Sequence, residues 1–310
     1  MTSIHLRLGT RSSALAMWQS SWVAGQLTEH GYDVELVQIT TQGDVRSEPI
    51  GQIGGQGLFT KEIQRALLDQ EVDLAVHSLK DLPTVPVPGL ALGAVPPRES
   101  PGDALLSNRF DSIDDIPEGA VIGTGSNRRQ AQLLHYREDF VVRGIRGNVD
   151  TRISKLDEGL FDAIILAESG LRRLGLQDRI TQLIPREIML PAVGQGALGI
   201  ECRSDDDATR QALALLNDSE THLSVLAERA LLFTLQAGCL APVGTHARFE
   251  NGSLILEGAV LSVDGKQRLA ASDSVPLADV GSEDAVSLGE RVAHDLLGQG
   301  AKRLIDAAHQ

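Results

Sequence analysis

Two stretches of the chain repeat one pattern, Leu6-Arg-Leu-Gly-Thr-Arg-Ser-Ser-Ala-Leu-Ala-Met17 and Val121-Ile-Gly-Thr-Gly-Ser-Asn-Arg-Arg-Gln130. In each, a short apolar run leads into a turn with Gly-Thr and serine, which predicts a strand, a turn and a helix. Further along, each has an acidic turn followed by a continuous apolar run, at 74–76 and 163–167. Such runs are typical of parallel strands that helices cover on both faces. The repetition therefore predicts two α/β lobes of similar plan.

Segments rich in proline or glycine mark the predicted crossings between the lobes. They are Ala94-Val-Pro-Pro-Arg-Glu-Ser-Pro101 and Leu190-Pro-Ala-Val-Gly-Gln-Gly196. After the second crossing, the apolar run 197–202 is expected to return to the first lobe as a strand, with Cys202 in its core. The predicted domains are lobe 1 (1–97 with 197–216), lobe 2 (98–196) and a third domain (217–310).

The third domain has a different pattern. Asn251-Gly252 and Asp264-Gly265 are strong hairpin signals, so they predict three antiparallel strands, at 243–249, 254–263 and 267–272. A helix is expected before the sheet, with Thr221 as its N-cap and Gly238 as a left-handed stop. An amphipathic helix over 283–297 is expected after it. These elements predict a small α+β domain.

The composition is typical of a globular protein that binds neither nucleic acid nor a membrane. Of its 310 residues, 42% are apolar and 23% charged. No apolar run has the length of a membrane span or a signal peptide, so we expect a cytoplasmic location. The net charge of −14 argues against the basic face that nucleic-acid binding needs. The two cysteines lie in no Cys-X-X-Cys or His-rich cluster, so we expect no metal site and no disulfide.

Basic residues nevertheless gather at the predicted turns between strands and helices. Ser13 and Ser126 are expected N-caps of helices that present N–H groups to an anion. Arg11, Arg128 and Arg129 add forked donors that match carboxylates; ordinary caps and solvated arginines are the alternative. Recurrence in both lobes favours a small polyanionic ligand. Further candidates, for which a surface position is the alternative, are Arg146, Arg152, Arg172 and Arg173.

Lys80 and Asp81 follow the predicted strand at 73–76, at the strand end where open α/β sheets place ligands. A carboxylate beside arginines stays ionised and can stabilise a developing positive charge; a capping aspartate beside a solvated lysine is the alternative. Asp44 is a weaker candidate that fits an ordinary turn. The glycine-rich segment 46–57 is predicted to close as a lid, and it lacks the Gly-Lys-Ser/Thr of a nucleotide-binding loop.

Cys239 lies just past the predicted end of the helix, in a short turn that Pro242 closes. A core cysteine would more usually lie inside a helix or a strand. A buried, unreactive thiol is nevertheless the simplest alternative for a lone cysteine. The rest of the sequence favours a functional thiol.

Taken together, these stretches resemble the porphobilinogen deaminase family, also called the hydroxymethylbilane synthases. The matching motifs, in the family's order, are Gly9-Thr-Arg-Ser-Ser-Ala-Leu-Ala, Gly54-Gly-Gln-Gly-Leu-Phe, Val76-His-Ser-Leu-Lys-Asp, Ser126-Asn-Arg-Arg-Gln, Arg146-Gly-Asn-Val, Pro191-Ala-Val-Gly-Gln-Gly and Ala237-Gly-Cys-Leu-Ala-Pro-Val-Gly. The resemblance implies an α/β fold with two lobes like those of periplasmic binding proteins. It also implies a small C-terminal α+β domain with an antiparallel sheet.

The resemblance further implies a reaction. Family members carry a dipyrromethane cofactor through a thioether on one cysteine, which corresponds to Cys239. This cofactor primes the head-to-tail addition of four porphobilinogen units, each of which loses ammonia, and water then releases hydroxymethylbilane. Each pyrrole unit carries an acetate and a propionate, which explains arginine pockets in an acidic protein. Nothing in the sequence demands more than a monomer, and uroporphyrinogen-III synthase is the partner to which the product would be handed on.

By the same correspondence, Asp81 is the catalytic residue that assists proton transfers at the pyrrole nitrogens. The residues expected to hold the cofactor are Cys239, Lys80, Ser126, Arg128, Arg129, Arg173 and Gln195. Those expected to bind substrate or to help move the growing chain are Arg11, Ser13, Gln19, Arg146 and Arg152. The sequence departs from the family where Asn127 replaces a leucine, and at Gln52 and Gln56, where the lid commonly carries lysines.

Two other functions stay open on the sequence alone. A non-catalytic two-lobed protein that binds a small anion would explain the lobes and the arginines, but not Cys239 or the third domain. A ligand-sensing domain of a transcription regulator would need a basic DNA-binding element, which the sequence lacks. Release of ammonia from porphobilinogen distinguishes the enzyme from both.

Overall fold

The computed structural model describes residues 4–41, 60–238, 240–276 and 280–308. Cys239, Asp44 and the predicted lid with Gln52 and Gln56 lie outside the described residues. The chain forms two compact units. Unit 1 is Met1–Glu99 with Ala197–His222, and unit 2 is Ser100–Gly196 with Leu223–Gln310.

A five-stranded sheet forms the centre of unit 1. Its strands are β1 (His5–Thr10), β2 (Asp33–Gln38), β3 (Leu74–Ser78), β4 (Leu90–Ala94) and β10 (Leu198–Arg203), in the order β2-β1-β3-β10-β4. β1 is parallel to β2 and β3, whereas β10 runs antiparallel to β3 and β4. Because β10 returns to this sheet, Cys202 is fully buried in the core, as the sequence predicts.

Helices cover both faces of this sheet. They are α1 (Ala14–Glu29), α2 (Lys61–Leu68) and α6 (Asp207–Ala214). Successive side chains of a strand point to opposite faces. Leu74 of β3 packs with α1 and α6, and Ala75 packs with α2 on the other face. This two-sided burial is the reason that β3 has a continuous apolar sequence.

The lobe within unit 2 repeats this arrangement. Its sheet contains β5 (Asp103–Leu106), β6 (Val121–Gly123), β7 (Val141–Arg143), β8 (Ala163–Ala167) and β9 (Gln182–Leu183), in the order β7-β6-β8-β5-β9. β6 is parallel to β7 and β8, and β5 runs antiparallel to β8 and β9. The helices are α3 (Asn127–Tyr136), α4 (Val149–Asp157) and α5 (Glu168–Arg173). The equivalent strand orders confirm two α/β lobes of similar plan.

The C-terminal segment forms the predicted antiparallel sheet. Its strands are β11 (Val243–Glu250), β12 (Ser253–Leu261) and β13 (Arg268–Pro276), and the helices beside it are α7 (Ser219–Thr234), α8 (Ser282–Gly298) and α9 (Ala301–Ala307). Asn251 and Gly252 both have positive φ, as does Gly265. Positive φ at both residues is what a type I′ Asn-Gly turn requires, whereas in the Asp264-Gly265 turn only the glycine has it. The sheet confirms the predicted α+β character of this segment.

The two ends predicted for α7 are wrong. The helix begins at Ser219, because the Asp218 carboxylate accepts the Thr221 N–H at 2.8 Å and so caps the helix. The Thr221 hydroxyl instead accepts the Arg98 N–H at 3.2 Å. At the other end, Gln236 takes the left-handed conformation, with φ of 52°, in place of the predicted Gly238.

The division into three domains stays a prediction. Unit 2 contains both the sheet of the second lobe and the antiparallel C-terminal sheet.

Among the described residues, no helix combines the length and the apolar character needed to cross a membrane.

Candidate active site

Unit 1 contains a short turn that carries Lys80 and Asp81. β3 ends at Ser78, and a 3-10 turn follows over Leu79–Asp81. Leu79 is buried, and its N–H donates to the Ala197 carbonyl at 3.0 Å. The Lys80 and Asp81 residues are exposed. The turn is thus fixed through Leu79, while its two charged residues lie at the surface of the unit.

Gln19 connects α1 to the end of β3. Its Nε2 donates to Ser78 Oγ at 2.8 Å. Ser13 is the N-cap of α1, as predicted, and Arg11 lies at the end of β1. Because β1 and β3 are adjacent and parallel, their carboxyl ends share one edge of the sheet. This edge brings together five of the predicted residues: Arg11, Ser13, Gln19, Lys80 and Asp81.

A buried polar cluster lies beside the same strand. His77 Nε2 is 2.9 Å from Glu201 Oε2, and Gln64 Nε2 donates to both Glu201 oxygens at 3.1 and 3.2 Å. All three residues are buried. A buried carboxylate needs partners of this kind because its desolvation is costly. The cluster therefore stabilises β3 next to the turn that carries Asp81.

In unit 2, Arg128 and Arg129 converge on Asp103. Arg128 Nη1 donates to Asp103 Oδ2 at 2.7 Å, and Arg129 Nε and Nη2 donate to Asp103 Oδ1 at 2.9 and 2.7 Å. Gln195 Nε2 donates to the same Oδ1 at 3.0 Å. We call these four residues the Asp103 cluster. It brings together three of the residues that the resemblance assigns to the cofactor.

The Asp103 cluster is buried and carries a net charge of +1, from two guanidinium groups and one carboxylate. Arg128 is 4% and Arg129 6% exposed, and Asp103 is 1% exposed. Burial by itself would raise the pKa of Asp103, but the charges of Arg128 and Arg129 outweigh it and hold that pKa well below its usual range. The carboxylate is therefore ionised at neutral pH.

The two arginines of the Asp103 cluster make further hydrogen bonds to backbone carbonyls, and one buried N–H of Arg128 is left for a ligand. Arg128 also donates to the Leu190 carbonyl at 2.5 Å, and Arg129 to the Ile165 carbonyl at 3.1 Å. Arg128 Nε is buried without a hydrogen-bond partner. Ser126 caps α3, as predicted. A buried N–H donor, a net positive charge and a helix N-terminus suit the carboxylates of the cofactor that the resemblance implies.

The other predicted arginines of unit 2 make separate contacts. Arg173 is 9% exposed and donates to the Gly196 carbonyl at 2.6 Å. Arg146 and Arg152 flank the N-terminus of α4, where Arg152 Nε donates to the Gly147 carbonyl at 2.9 Å. Arg172 pairs with Glu168 at 2.6 Å. Arg146 is exposed and Arg152 half-buried.

The sequence interpretation missed two buried carboxylates beside these residues, Asp103 and Glu228. Glu228 is fully buried and accepts the N–H groups of Gly194 at 2.7 Å and Ala247 at 2.9 Å. It thereby fixes the segment that carries Gln195. Asp103 could have been found in the sequence as a charged residue at the start of an apolar run, Asp103-Ala-Leu-Leu106. A charged residue in such a run needs a partner once it is buried.

Metal ligation has no candidate in the described part of the chain. No three or more His, Cys, Asp or Glu side chains there are grouped so that they could hold a metal ion.

Several solved structures match the chain at low identity. A putative methionine-binding lipoprotein of Bacillus subtilis is 14% identical, with a TM-score of 0.44, over 70% of this chain and 92% of that one. A nutrient-binding protein of Burkholderia cenocepacia bound to methionine is 13% identical, with a TM-score of 0.42, over 74% and 96%. At these scores the likeness supports no conclusion about this chain.

Sequence comparison is decisive. The family model of the porphobilinogen deaminase dipyromethane cofactor binding domain matches residues 6–211, and that of the porphobilinogen deaminase C-terminal domain matches residues 222–298. A porphobilinogen deaminase of Syntrophotalea carbinolica is 47% identical over 310 residues, covering 99% of this chain and 97% of the relative. The chain belongs to the porphobilinogen deaminase family.

Proposed function

We propose that the chain makes hydroxymethylbilane on a dipyrromethane that is bound through a thioether to Cys239. As a member of its family, the protein is a transferase that joins porphobilinogen units into hydroxymethylbilane. The observation that carries the assignment is the 47% identity to a porphobilinogen deaminase across nearly the whole chain. The Asp103 cluster supports it, because it offers buried cationic donors to ligands that carry carboxylates.

The residues proposed to hold the cofactor are Cys239, Lys80, Ser126, Arg128, Arg129, Arg173 and Gln195. When bound, a dipyrromethane supplies the free α-carbon that acts as the nucleophile for the first addition. Each charged hydrogen bond from an arginine to a carboxylate contributes about 1.5–3 kcal/mol. The net charge of +1 in the Asp103 cluster suits this role.

Asp81 is the proposed catalytic residue. Loss of ammonia from porphobilinogen spreads positive charge over the pyrrole ring. A carboxylate that accepts the pyrrole N–H stabilises this charge, and such assistance typically contributes about 10²–10⁴-fold to the rate. The exposed position of Asp81 on its fixed turn supports the assignment. The substrate carboxylates would be bound by Arg11, Ser13, Gln19, Arg146 and Arg152.

The same proposal places the protein in the cytoplasm as a monomer, and its product would pass to uroporphyrinogen-III synthase. The enzyme is tested by incubating wild type and Cys239→Ser with porphobilinogen and measuring ammonia. Wild type is expected to release ammonia continuously, and Cys239→Ser to release none above background. Binding of porphobilinogen by wild type without ammonia release would instead favour a protein that only binds a small anion.

A further inference from the structure

Asn127 forms a hydrogen bond with the segment that follows Cys239. It is the first residue of α3, and its Nδ2 donates to the Leu240 carbonyl at 2.8 Å. Leu240 is the next residue after Cys239 in the sequence. A side chain at the start of α3 therefore restrains the backbone one residue away from the proposed attachment point.

The far end of α3 contacts the C-terminal strands through the same face. Asn127, Ala131 and His135 recur at intervals of four residues, so they lie on one face of the helix. His135 Nδ1 donates to the Gly265 carbonyl at 2.9 Å. Between the two ends, Ala131 packs in an apolar cluster with Leu190, Ala259 and Leu261. The helix is thus joined to the C-terminal segment along its length.

The N-terminal turn of α3 also carries the proposed carboxylate donors. Ser126 precedes Asn127, and Arg128 and Arg129 follow it. Both arginines are fixed by Asp103. One helix turn therefore holds the Leu240 backbone and the cationic groups in a defined relation.

We propose that Asn127 is a positioning residue for cofactor attachment. By holding Leu240, it restrains the backbone that adjoins Cys239 in the sequence, from the same helix turn that carries the donors proposed for the cofactor's carboxylates. A leucine at this position would have no donor, so the contact depends on the side-chain amide of Asn127. The inference rests on the proposed function.

Attachment forms one bond between the Cys239 sulfur and the methylene carbon of a porphobilinogen-derived unit. The carbon–nitrogen bond of the protonated aminomethyl group breaks, and the ammonia released takes up the thiol proton and leaves as ammonium. The thiol must therefore meet a carbon whose place is set by bound carboxylates. A defined position of the segment accelerates this step. The rate at which the thiol reacts with a small reagent that needs no binding site does not depend on a defined position of the segment.

The test compares Asn127→Leu with His135→Ala, both prepared free of cofactor and checked for folding by circular dichroism. Each variant removes one side-chain hydrogen bond from α3 to the C-terminal segment, but only Asn127 contacts Leu240. Mass spectrometry follows cofactor attachment after porphobilinogen is added, and alkylation of Cys239 by iodoacetamide in a parallel reaction. Cys202 is the unreactive reference, because burial raises its thiol pKa to about 11.

We expect Asn127→Leu to lower the rate of cofactor attachment about two- to tenfold, which is the effect of losing one hydrogen bond. The rate of alkylation of Cys239 should change by less than about twofold. His135→Ala should react like wild type in both assays. Attachment at the wild-type rate in Asn127→Leu, or an equal loss in His135→Ala, would overturn the inference. If wild type itself takes up no cofactor, the proposed function fails and this inference with it.

Discussion

Arg128 and Arg129 are adjacent in the sequence, and both bury their guanidinium groups against Asp103. Asp103→Asn would leave two buried positive charges without a counter-ion. We expect the free energy of unfolding to fall by about 3–5 kcal/mol, the usual cost of removing one partner from a buried ion pair. Urea unfolding followed by circular dichroism measures this loss.

The matched control for Asp103→Asn is Asp157→Asn. Asp157 pairs with Arg179 at 2.6 Å, but the side chains are 47% and 35% exposed. Solvent screens this pair, so the control should lose only about 0–1 kcal/mol. Equal losses in the two variants would contradict the structural role of Asp103.

The pH dependence of stability should also report Asp103. Burial opposes ionisation, but the two arginines hold the pKa of Asp103 in the folded protein well below its usual range. Its contribution to stability is therefore complete above the unfolded-state pKa of about 3.9 and is lost as the pH falls toward the folded-state pKa. Stability should fall more steeply below about pH 4 in wild type than in Asp103→Asn. Parallel curves for the two proteins would refute this.

Asp81 is exposed on the 3-10 turn that follows β3, so its removal should leave the fold intact. We expect Asp81→Asn to abolish turnover, at least by the roughly 10²–10⁴-fold that proton-transfer assistance contributes, while the bound cofactor is retained. Product formation and intact mass measure the two effects. The control is Asp111→Asn, which changes an exposed aspartate outside the proposed site. Near-normal activity in Asp81→Asn would remove this residue from the mechanism.

At the scale of elements, the turn between β12 and β13 packs against the C-terminal end of α3. Gly265 has a φ of 74°, and a Cβ there would lie 2.5 Å from the His135 backbone nitrogen. Gly265→Ala adds this clash to the strain of a left-handed alanine, so we expect a loss of about 2–4 kcal/mol. Thermal unfolding monitors the change.

Gly252→Ala is the control for this element. Gly252 has the same φ of 74°, but nothing lies within 4 Å of the added Cβ. Only the backbone strain should be felt, at about 1–2 kcal/mol. If Gly265→Ala lost no more than Gly252→Ala, the close packing of the turn on α3 would be wrong.

The elements that could be predicted from the sequence are those whose ends are set by hydrogen bonds and backbone preferences of residues close by in the sequence. Ser13 and Ser126 cap their helices, and the Asn251-Gly252 turn has its expected positive φ, because neighbouring residues decide these features. The start of α7 was not predictable in this way. Asp218 and Thr221 both have side chains that can cap a helix. The Thr221 hydroxyl accepts a hydrogen bond from the Arg98 N–H, which is distant in sequence, so Asp218 is the residue that caps α7.

At the scale of the whole molecule, the sequence repeat predicts two similar lobes, but not how each sheet is completed. Each sheet has an antiparallel strand beside its parallel strands. In unit 1 this strand is β10, which comes after the second lobe in the sequence. In unit 2 it is β5, which comes before the rest of its lobe. In the sequence, only an apolar run indicates that β10 returns to the first lobe.

The candidate site was predictable where it follows the sheets. Arg11, Lys80 and Asp81 lie at the carboxyl ends of parallel strands, as the rule for open α/β sheets requires. The burial of Arg128 and Arg129 was not predictable, because it depends on Asp103, which is distant in sequence. Their roles at the cofactor, and that of Cys239, stay predictions.

The most direct test of the central claim, that Cys239 carries a covalent dipyrromethane, is the intact mass of the denatured protein. Wild type and Cys239→Ser are measured before and after incubation with porphobilinogen. Wild type is expected to show an excess mass equal to two linked substituted pyrroles, which Cys239→Ser lacks. A bare polypeptide mass that persists in wild type after incubation would contradict the claim.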